Sequence, residues 1–460
     1  MRLLVFRSTL VALLTVGCWA SGFAQGATAQ APAAQVIVFE NVRVFDGRSG
    51  VVSPPSHVLV RGRTIARIST APIAVDAADR ATVIAGAGRV LMPGLIDAHW
   101  HCMLVRPTPA AAINGDVGFI NLMAGAEATD TLMRGFTTVR DMGGPVWGLK
   151  QAIDTGIVAG PRIWPSGAMI TVTSGHGDYR QPFELPRIIG APQSRMEQIN
   201  GSLVADSPDE VRVRVREQLM LGASQIKLTA GGGVASPHSP LDVTSFTDGE
   251  LRAAVEAAGN WGTYVAVHAY TVASVQHAVT TGVKAIEHAH LIDDATARMM
   301  ADKGVWLSTQ PFLDDEDAIP FPPDSESRVK QLKVISGTDT LYALAKKYKL
   351  KTAWGTDTLF SKELADRQGA QLAKMTRWYS PAEVLVMATS AIADLLALSA
   401  LRSPYAGKLG VVQEGALADL LLVDGNPVEN IKLIEDPASN FVVIMKDGKV
   451  YKNLLAPRTP

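Results

Sequence analysis

Short apolar runs alternate with amphipathic stretches through the middle of the chain. Eight runs predict strands, at residues 90–99, 137–141, 162–166, 225–229, 264–268, 285–288, 305–309 and 352–357. Ser207, Thr247 and Ser380 each precede a Glu by three residues, as helix caps do, and stretches 209–221 and 248–260 have amphipathic spacing. This alternation predicts an α/β fold, a (β/α)8 TIM barrel over residues 91–399 with its active site at the carboxyl ends of the strands. A doubly wound sheet is disfavoured because no Gly-x-Gly-x-x-Gly follows an early strand.

Both ends of the chain differ in pattern from the middle, since they contain short β-branched runs separated by turn residues. Residues 36–39, 42–45 and 57–60 are separated by Asp46-Gly47 and Pro54-Pro55, and similar runs return at 418–423 and 442–450. Neither set is large enough to be stable alone, so residues 36–90 and 400–455 are predicted to pair into one small β-sandwich. Segments 168–206 and 311–330 are predicted as loops at the barrel mouth. The acidic run 314–317 is expected to be a solvated part of a lid.

The first 24 residues predict an export signal. Arg2 and Arg7 precede an apolar run that is too short to span a bilayer, and a small-x-small cleavage pattern ends at Ala24, with Ala29 as an alternative site. The expected location is periplasmic or secreted. A lipid anchor on Cys18 is less favoured, because Thr15 stands where an aliphatic residue is expected. No other apolar stretch reaches spanning length, so no membrane span is predicted.

Charge and cysteine content narrow the class of protein further. The 43 Lys and Arg nearly balance the 44 Asp and Glu, which gives no basic face for nucleic acid. Signal removal would leave only Cys102, so a disulfide within the chain is excluded and the core must hold the fold. These features indicate a folded, catalytic protein, as a monomer or a homo-oligomer, with no nucleic-acid partner.

Polar side chains stand at the ends of several predicted strands. His99 and His101 share one face of a strand because they are two residues apart. His268, His288 and Asp357 each end another apolar strand, where a polar side chain costs free energy unless it has a partner. Their convergence at one barrel mouth predicts a metal site, the alternative being unrelated core histidines.

Lys227 occupies the same position on the fourth predicted strand. Burial lowers the pKa of a lysine, so the side chain is expected either to pair with a carboxylate, to reach solvent or to become a reactive neutral amine.

Several motifs in order resemble the amidohydrolase superfamily, in its binuclear type with a carboxylated lysine. They are PGLIDAHWH at 93–101, GFTTVRD at 135–141, IEH at 286–288, LADL at 417–420 and KDGKV at 446–450. The second and third motifs point to the branch of imidazolonepropionase-like prolidases and ochratoxinase-like amidases. The resemblance covers residues 36–452.

The resemblance implies two divalent metal ions. His99, His101 and Asp357 would bind one ion, His268 and His288 the other, and a carboxylated Lys227 would bridge them. Imidazole, carboxylate and carbamate ligands suit Zn²⁺, with Mn²⁺, Fe²⁺ and Co²⁺ as alternatives.

Such a centre would attack an amide carbonyl with a metal-bridging hydroxide. Asp357 is the expected base for the water proton and acid for the leaving nitrogen. Tyr270, two residues past His268, is a candidate oxyanion donor or a packing residue. His176 resembles a substrate-binding histidine, with Ser174 where Gly is expected, and the alternative is a solvated loop histidine.

Two further residues are open between roles. His290 shares a face with His288 and would contact substrate or support a ligand. Arg140 would bind a substrate carboxylate or, with greater weight, pair with Asp141. Asp97 is expected to orient a metal-binding histidine.

The expected function is metal-dependent hydrolysis of a C–N amide bond in a small peptide or N-acyl amino acid, as in a dipeptidase or carboxypeptidase. The alternatives are an amidase for cyclic amides or ochratoxin-type aromatic N-acyl amino acids and, with less weight, a non-catalytic metal-binding protein.

Overall fold

Strands open and close the described chain, and strands alternate with helices between them. The computed structural model describes residues 35–181, 184, 192–236 and 238–455. The predicted signal over residues 1–24, including Cys18, lies outside the described residues. Cys102 is a free, buried thiol.

Eighteen strands occur in the described residues. They are β1 Val36–Phe45, β2 Val52–Arg61, β3 Thr64–Ser69, β4 Thr82–Ala85, β5 Val90–Pro93, β6 Leu95–Trp100, β7 Phe136–Asp141, β8 Arg162–Pro165, β9 Met169–Thr171, β10 Ser202–Val204, β11 Ile226–Thr229, β12 Val265–Thr271, β13 Ala285–Leu291, β14 Trp306–Thr309, β15 Thr352–Trp354, β16 Leu420–Val423, β17 Phe441–Lys446 and β18 Lys449–Asn453.

One sheet combines strands from both ends of the chain. Its order is β18-β17-β16-β5-β1-β2-β3, and β4 also pairs with β1. The two ends therefore meet as the sequence predicts, while their arrangement as a two-layer β-sandwich stays a prediction. The prediction that Pro54 and Pro55 separate two strands is wrong. Both lie inside β2, in a part that pairs with β1 but not with β3, where the missing N–H of proline is tolerated.

The middle of the chain forms two parallel sheets, which confirms the α/β class. Their orders are β10-β9-β11-β12-β13-β14-β15 and β6-β7-β8. β9 and β10 lie in segment 168–206, so the prediction of a loop throughout this segment is wrong. The first predicted strand is divided at Gly94, since β5 belongs to the sheet of the chain ends and β6 to a parallel sheet.

The first and last parallel strands meet without forming a ladder. The backbone N–H of Asp357, just after β15, donates to the carbonyl of His99 in β6 at 2.9 Å. Within the described residues no strand pair joins the two parallel sheets, so closure into a (β/α)8 barrel stays a prediction.

The helices follow the strands as the capping residues predict. The α-helices are Pro109–Asn114, Val117–Met133, Trp147–Asp154, Arg195–Gln198, Pro208–Leu221, Asp248–Asn260, Val272–Thr281, Asp294–Asp302, Glu326–Ile335, Thr338–Lys347, Lys362–Asp366, Gln368–Ala373, Pro381–Val386, Ile392–Leu396 and Pro437–Asn440. The predicted caps Ser207, Thr247 and Ser380 precede three of them.

One helical segment, Pro381–Arg402, is 22 residues long and apolar enough to cross a membrane on length and composition alone. The sequence prediction that no such stretch follows the signal is therefore wrong on length. About half of the segment is buried inside the protein, and Val384, Leu385, Ile392 and Leu395 have no exposed surface. These residues pack in the core, as in a core helix, so the segment is weak evidence for a membrane span.

Side-chain alternation along the parallel strands separates the helix-facing core from the interior. In β12, Val265 and Val267 pack with the helices, whereas Ala266 packs in a second cluster and His268 lines a cavity. In β11, Ile226 and Leu228 take the helix side, which leaves Lys227 on the interior side. The apolar pattern of these strands thus fixes where the polar residues point.

Candidate metal centre

A cavity lies at the carboxyl ends of the parallel strands. It encloses about 1110 Å³, part of it open to solvent. Its lining includes eight residues that the sequence singles out, namely His99, His101, His176, Lys227, His268, Tyr270, His288 and Asp357. Segments separated by more than 250 residues therefore meet in one place, as the sequence predicts.

His99, His101 and Asp357 form a compact group of three ligands. Their ligand atoms all lie within 4.8 Å of one another, and Oδ1 of Asp357 is 3.3 Å from Nε2 of His99 and 3.2 Å from Nε2 of His101. The backbone of Asp357 has φ 53°, a left-handed conformation that costs free energy for a residue with a side chain. Asp357, which follows β15 and contacts both histidines, therefore has a strained backbone.

His268 and His288 lie beside this group. Their ring centroids are 4.4 Å apart, and the His288 ring is 5.0 Å from that of His99. Burial, followed by the Lys227 ammonium, lowers the pKa of His99 well below 6.5, and burial, followed by His99 and Lys227, lowers that of His288 in the same way. For His268, burial and the neighbouring histidines do the same. These three imidazoles are therefore neutral at pH 7, the form that binds a metal ion.

Each of the four histidines has one ring nitrogen tied to a fixed oxygen. The Nδ1 atoms of His99, His101 and His288 lie 2.8, 3.0 and 2.7 Å from Glu287 Oε2, the Gly143 carbonyl and Gln310 Oε1, and Nε2 of His268 lies 2.9 Å from the Gly232 carbonyl. Since these oxygens accept, the tied nitrogens carry the proton and the other nitrogens keep a lone pair. The donor set therefore fits divalent metal ions, with the outer hydrogen bonds typical of metal-binding histidines.

Lys227 is 2% exposed and lines the same cavity. Among the described residues its ammonium has no hydrogen bond and no ion pair within 4 Å, so the predicted alternative of direct pairing is not seen. Burial lowers its pKa to about 8, although Glu287 and Asp357 oppose the shift.

Glu287 is a site residue that sequence reasoning missed. Strict alternation places it opposite His288, yet Glu287 contacts His99 while His288 lines the cavity. The reason is a break in β13: His288 and Ala289 have φ 78° and 59°, and the pairing with β12 shifts in register nearby. A carboxylate inside an apolar strand is the signal that could have revealed it.

Arg140 pairs with Glu287 and not with Asp141, so the predicted internal partner is wrong. The guanidinium is fully buried beneath the site, with Nη2 2.6 Å from Oε1 of Glu287 and Nε donating to the Ala98 carbonyl at 2.6 Å. Arg140 does not belong to the described cavity lining. The prediction that Arg140 contacts a substrate carboxylate is therefore also wrong, since its buried guanidinium does not reach the cavity.

Asp97 supports His99 through the backbone and not through the ring. Its Oδ1 accepts from the His99 N–H at 2.9 Å and the Thr356 N–H at 3.2 Å, while Oδ2 accepts from the Thr356 hydroxyl and Gln368. Asp97 thus joins the ends of β6 and β15 next to the candidate ligands His99 and Asp357.

The loop after β9 brings two more polar residues to the cavity. His176 lies 2.8 Å through Nδ1 from Oγ of Ser236, and its ring is 4.2 Å from that of His268. Tyr179, which the sequence analysis missed, lines the same wall three residues later. Burial raises the pKa of Tyr179 to about 12, so it remains a hydroxyl donor at neutral pH.

Tyr270 and His290 differ in access to the cavity. Tyr270 lines it, with its ring 4.8 Å from that of His268, and burial raises its pKa well above 10. His290 is not among the described lining residues. It donates through Nε2 to the Gln310 carbonyl at 3.0 Å and stacks on Phe312. His290 therefore supports the wall, and its predicted direct substrate contact is not seen.

The acidic run 314–317 is not a simple solvated face, contrary to the sequence prediction. The Asp317 side chain is only 5% exposed, and its carboxylate lies 2.5 Å from both Arg367 and Lys374. Asp315 lies 2.7 Å from Lys374, and both residues line the cavity. Cations from a later part of the chain therefore hold this segment at the mouth.

Gly355 is expected to tolerate no side chain. A Cβ there would lie 2.5 Å from the His99 nitrogen and 2.7 Å from the His99 Cβ, neither of which can rotate away. Gly355→Ala is expected to cost about 1–3 kcal/mol in free energy of unfolding, measured in urea. The matched control is Gly259→Ala in helix Asp248–Asn260, where an added Cβ meets nothing within 4 Å. It should instead stabilise by up to about 1 kcal/mol, and equal effects of the two changes would contradict the packing argument.

Comparison with known proteins agrees with this geometry. The amidohydrolase family model matches residues 90–455. Ochratoxinase of Aspergillus niger is 29% identical over 390 residues, covering 79% of this chain and 76% of ochratoxinase. Among solved structures, an amidohydrolase is 35% identical with TM-score 0.83 (92% of this chain, 100% of that one), and a prolidase complexed with N-methylphosphonate-L-proline is 32% identical with TM-score 0.83 (91% and 100%). The chain therefore belongs to the amidohydrolase family, in its prolidase- and ochratoxinase-like branch.

Proposed function

We propose that the protein is a binuclear metal-dependent hydrolase of the C–N amide bond in small peptides or N-acyl amino acids. The observation that carries this proposal is the meeting of His99, His101 and Asp357 within 4.8 Å, with further lining by His268, His288 and Lys227. The similarity to a prolidase and to ochratoxinase supports amide bonds as the target. We further propose Zn²⁺ as the metal, a carboxylated Lys227 as bridge, a closed barrel with a β-sandwich, and export by the signal at residues 1–24.

Divalent ions bound in this site would lower the pKa of a water molecule and polarise the substrate carbonyl. Asp357 is the residue placed to move protons. Burial raises the pKa of Asp357, but its neighbours His99, His101 and Lys227 outweigh burial and hold the pKa below 3.8. Asp357 is therefore a carboxylate at neutral pH that can accept the proton of the water and pass it to the leaving nitrogen.

Tyr270 and His176 face the space next to Asp357. Tyr270 stays protonated, so its hydroxyl can donate to the carbonyl oxygen as negative charge develops there. Burial lowers the pKa of His176 to about 4, which makes it a neutral hydrogen-bonding group. We propose that His176 positions the polar end of the substrate.

The mouth of the cavity favours an apolar substrate group. Its outer wall contains the apolar residues Leu104, Val234, Phe312, Leu313, Ile319, Phe321, Val334 and Ile335. The charges in that wall are paired, since Lys374 pairs with Asp315 and Asp317 and Arg367 pairs with Asp317 as well. A substrate with a large apolar side chain would bury it against this wall.

Apolar substrates are therefore expected to have the higher kcat/KM. A Leu or Phe side chain should be preferred over Asp or Lys at the same position by about 10–100-fold, the factor that burial of one such side chain supplies. Phe321→Asn should reduce this preference, whereas Val329→Asn, at a 63% exposed position on the neighbouring helix, should leave it unchanged. A preference for charged side chains in the unaltered protein would contradict the assignment of the wall.

Metal removal tests the proposal as a whole. Elemental analysis of the purified protein should find about two divalent ions per chain, and removal by a chelator should abolish hydrolysis of a dipeptide and N-acyl amino acid library. Activity should return with added Zn²⁺ or another divalent ion. Hydrolysis that persists in the metal-free protein would overturn the proposal, and metal binding without turnover on any substrate would favour the non-catalytic alternative.

A second candidate activity is hydrolysis of aromatic N-acyl amino acids of the ochratoxin type, or of cyclic amides. The similarity to ochratoxinase and the apolar wall both favour the first of these. Product analysis on matched linear, cyclic and aromatic N-acyl substrates would separate these activities.

A further inference from the structure

A buried ion pair lies directly behind one of the metal-ligating histidines. Arg140 and Glu287 both have 0% exposed side chains and approach to 2.6 Å. The second oxygen of Glu287 lies 2.8 Å from Nδ1 of His99. The cation, the carboxylate and the imidazole are therefore connected in series, and the far side of the imidazole faces Asp357.

The guanidinium is fixed on every side. Besides Glu287, Arg140 donates to the Ala98 carbonyl at 2.6 Å, to the Tyr264 hydroxyl at 3.2 Å and to the Ser308 hydroxyl at 3.1 Å. Arg140, Glu287 and Ser308 come from three parallel strands, and Ala98 belongs to the strand of His99 itself. The orientation of the Glu287 carboxylate is thus set by groups that cannot rotate independently.

A contribution to fold stability does not by itself explain why the charges of Arg140 and Glu287 are buried. Removing two charges from water is costly, and a buried ion pair is often no more stabilising than apolar side chains of similar volume. The ion pair nevertheless ends on the nitrogen of His99 that must carry a proton if the other nitrogen is to bind a metal ion. A carboxylate at this place also makes the imidazole a stronger electron donor.

We propose that Arg140 and Glu287 are positioning residues for metal binding: Arg140 fixes Glu287, and Glu287 holds the His99 ring with its free nitrogen toward the metal site. This inference rests on the proposed metal-dependent function. It assigns Arg140 a role other than contact with the substrate.

The test separates metal affinity from fold stability by removing both charges together. Glu287→Gln alone leaves the Arg140 charge buried without a counter-ion and is expected to destabilise the protein. The double variant Arg140→Met with Glu287→Gln removes both charges and should recover part of that stability. Its affinity for Zn²⁺, measured by competition with a chromophoric chelator, should still be about 10–100-fold below that of the unaltered protein.

A second buried ion pair provides the matched control. Arg162 and Asp419 are 3.0 Å apart with 2% and 4% exposed side chains, and Arg162 does not line the described cavity. The double variant Arg162→Met with Asp419→Asn should change the urea midpoint without changing Zn²⁺ affinity.

The unaltered protein gives a readout that does not depend on the variants folding. In metal-free protein labelled with ¹⁵N histidine, the His99 resonances, assigned with His99→Asn, should show the tautomer protonated at Nδ1. The opposite tautomer, or unchanged Zn²⁺ affinity in a folded Arg140→Met/Glu287→Gln variant, would overturn the inference. In either case Zn²⁺ binding by the unaltered protein would leave the proposed function intact, whereas a protein that binds no metal would overturn both.

Discussion

Replacing Asp357 by Asn is expected to lower kcat/KM for amide hydrolysis by about 10³–10⁴-fold, near the upper end of the range for losing a general acid–base group. Asn has the same shape as Asp but cannot accept a proton from water at neutral pH. The cost is expected to be large because one carboxylate is proposed to act twice, first on the water and then on the leaving nitrogen.

Metal content must be measured in the same preparation, since Asp357 is also a proposed metal ligand. Asn retains an oxygen that can bind a metal ion, so the metal content is expected to fall less than the rate. Asp302→Asn, an exchange at an exposed carboxylate 3.9 Å from Arg298, is the control and should leave both quantities unchanged. A fully metal-loaded Asp357→Asn protein with activity within tenfold of the unaltered one would contradict a proton-transfer role.

Side-chain alternation explains why much of the site could be predicted from the sequence. Lys227 and His268 stand between helix-facing apolar neighbours in regular strands, so their direction follows from the period of two. His99 and His101 share a face for the same reason. A buried polar side chain at the end of an apolar strand needs a partner, and the partners are the other such residues.

The parts that could not be predicted depend on departures from regular geometry. Alternation already points Glu287 inward, since Ala285 packs in the interior and Ile286 on the helix side. The positive φ of His288 and Ala289 brings His288 into the cavity as well, and no feature of the local sequence requires this break. The partner of Arg140 was likewise missed, because Glu287 lies 147 residues away in sequence. The buried Asp317 was misjudged because its cations, Arg367 and Lys374, come from a distant helical region.

Asp97 illustrates an intermediate case. Its sequence position next to His99 indicates a supporting role, which the structure bears out. The form of that support, a clamp between β6 and Thr356, requires knowing that the first and last parallel strands meet. The contact of Asp97 with Thr356 therefore follows from the arrangement of the strands, which the motif around His99 does not reveal.

Lys227 is expected to be as important for metal binding as Asp357 is for proton transfer. Lys227→Met keeps the length and burial of the side chain but removes the nitrogen that would accept carbon dioxide. It should lower the metal content toward one ion per chain or less and lower kcat/KM by about 10³-fold or more, since the proposed bridging ligand is lost. Lys284→Met, at an exposed position next to β13, is the matched control and should change neither quantity.

The reactivity of Lys227 should also depend on pH in a defined direction. Only the neutral amine combines with carbon dioxide, and burial lowers the pKa of Lys227 to about 8 from 10.5. At pH 7 about a tenth of this side chain is then neutral, roughly 300 times the fraction of an ordinary lysine. At a fixed concentration of dissolved CO2, the rate of carboxylation of metal-free protein should therefore rise with pH and level off above about 8. Incorporation of ¹³C-labelled CO2, followed by NMR, measures this rate, and Lys227→Met should abolish the signal. A carbamate signal that persists in Lys227→Met, or a rate that keeps rising past pH 10, would show that an ordinary surface lysine is the acceptor.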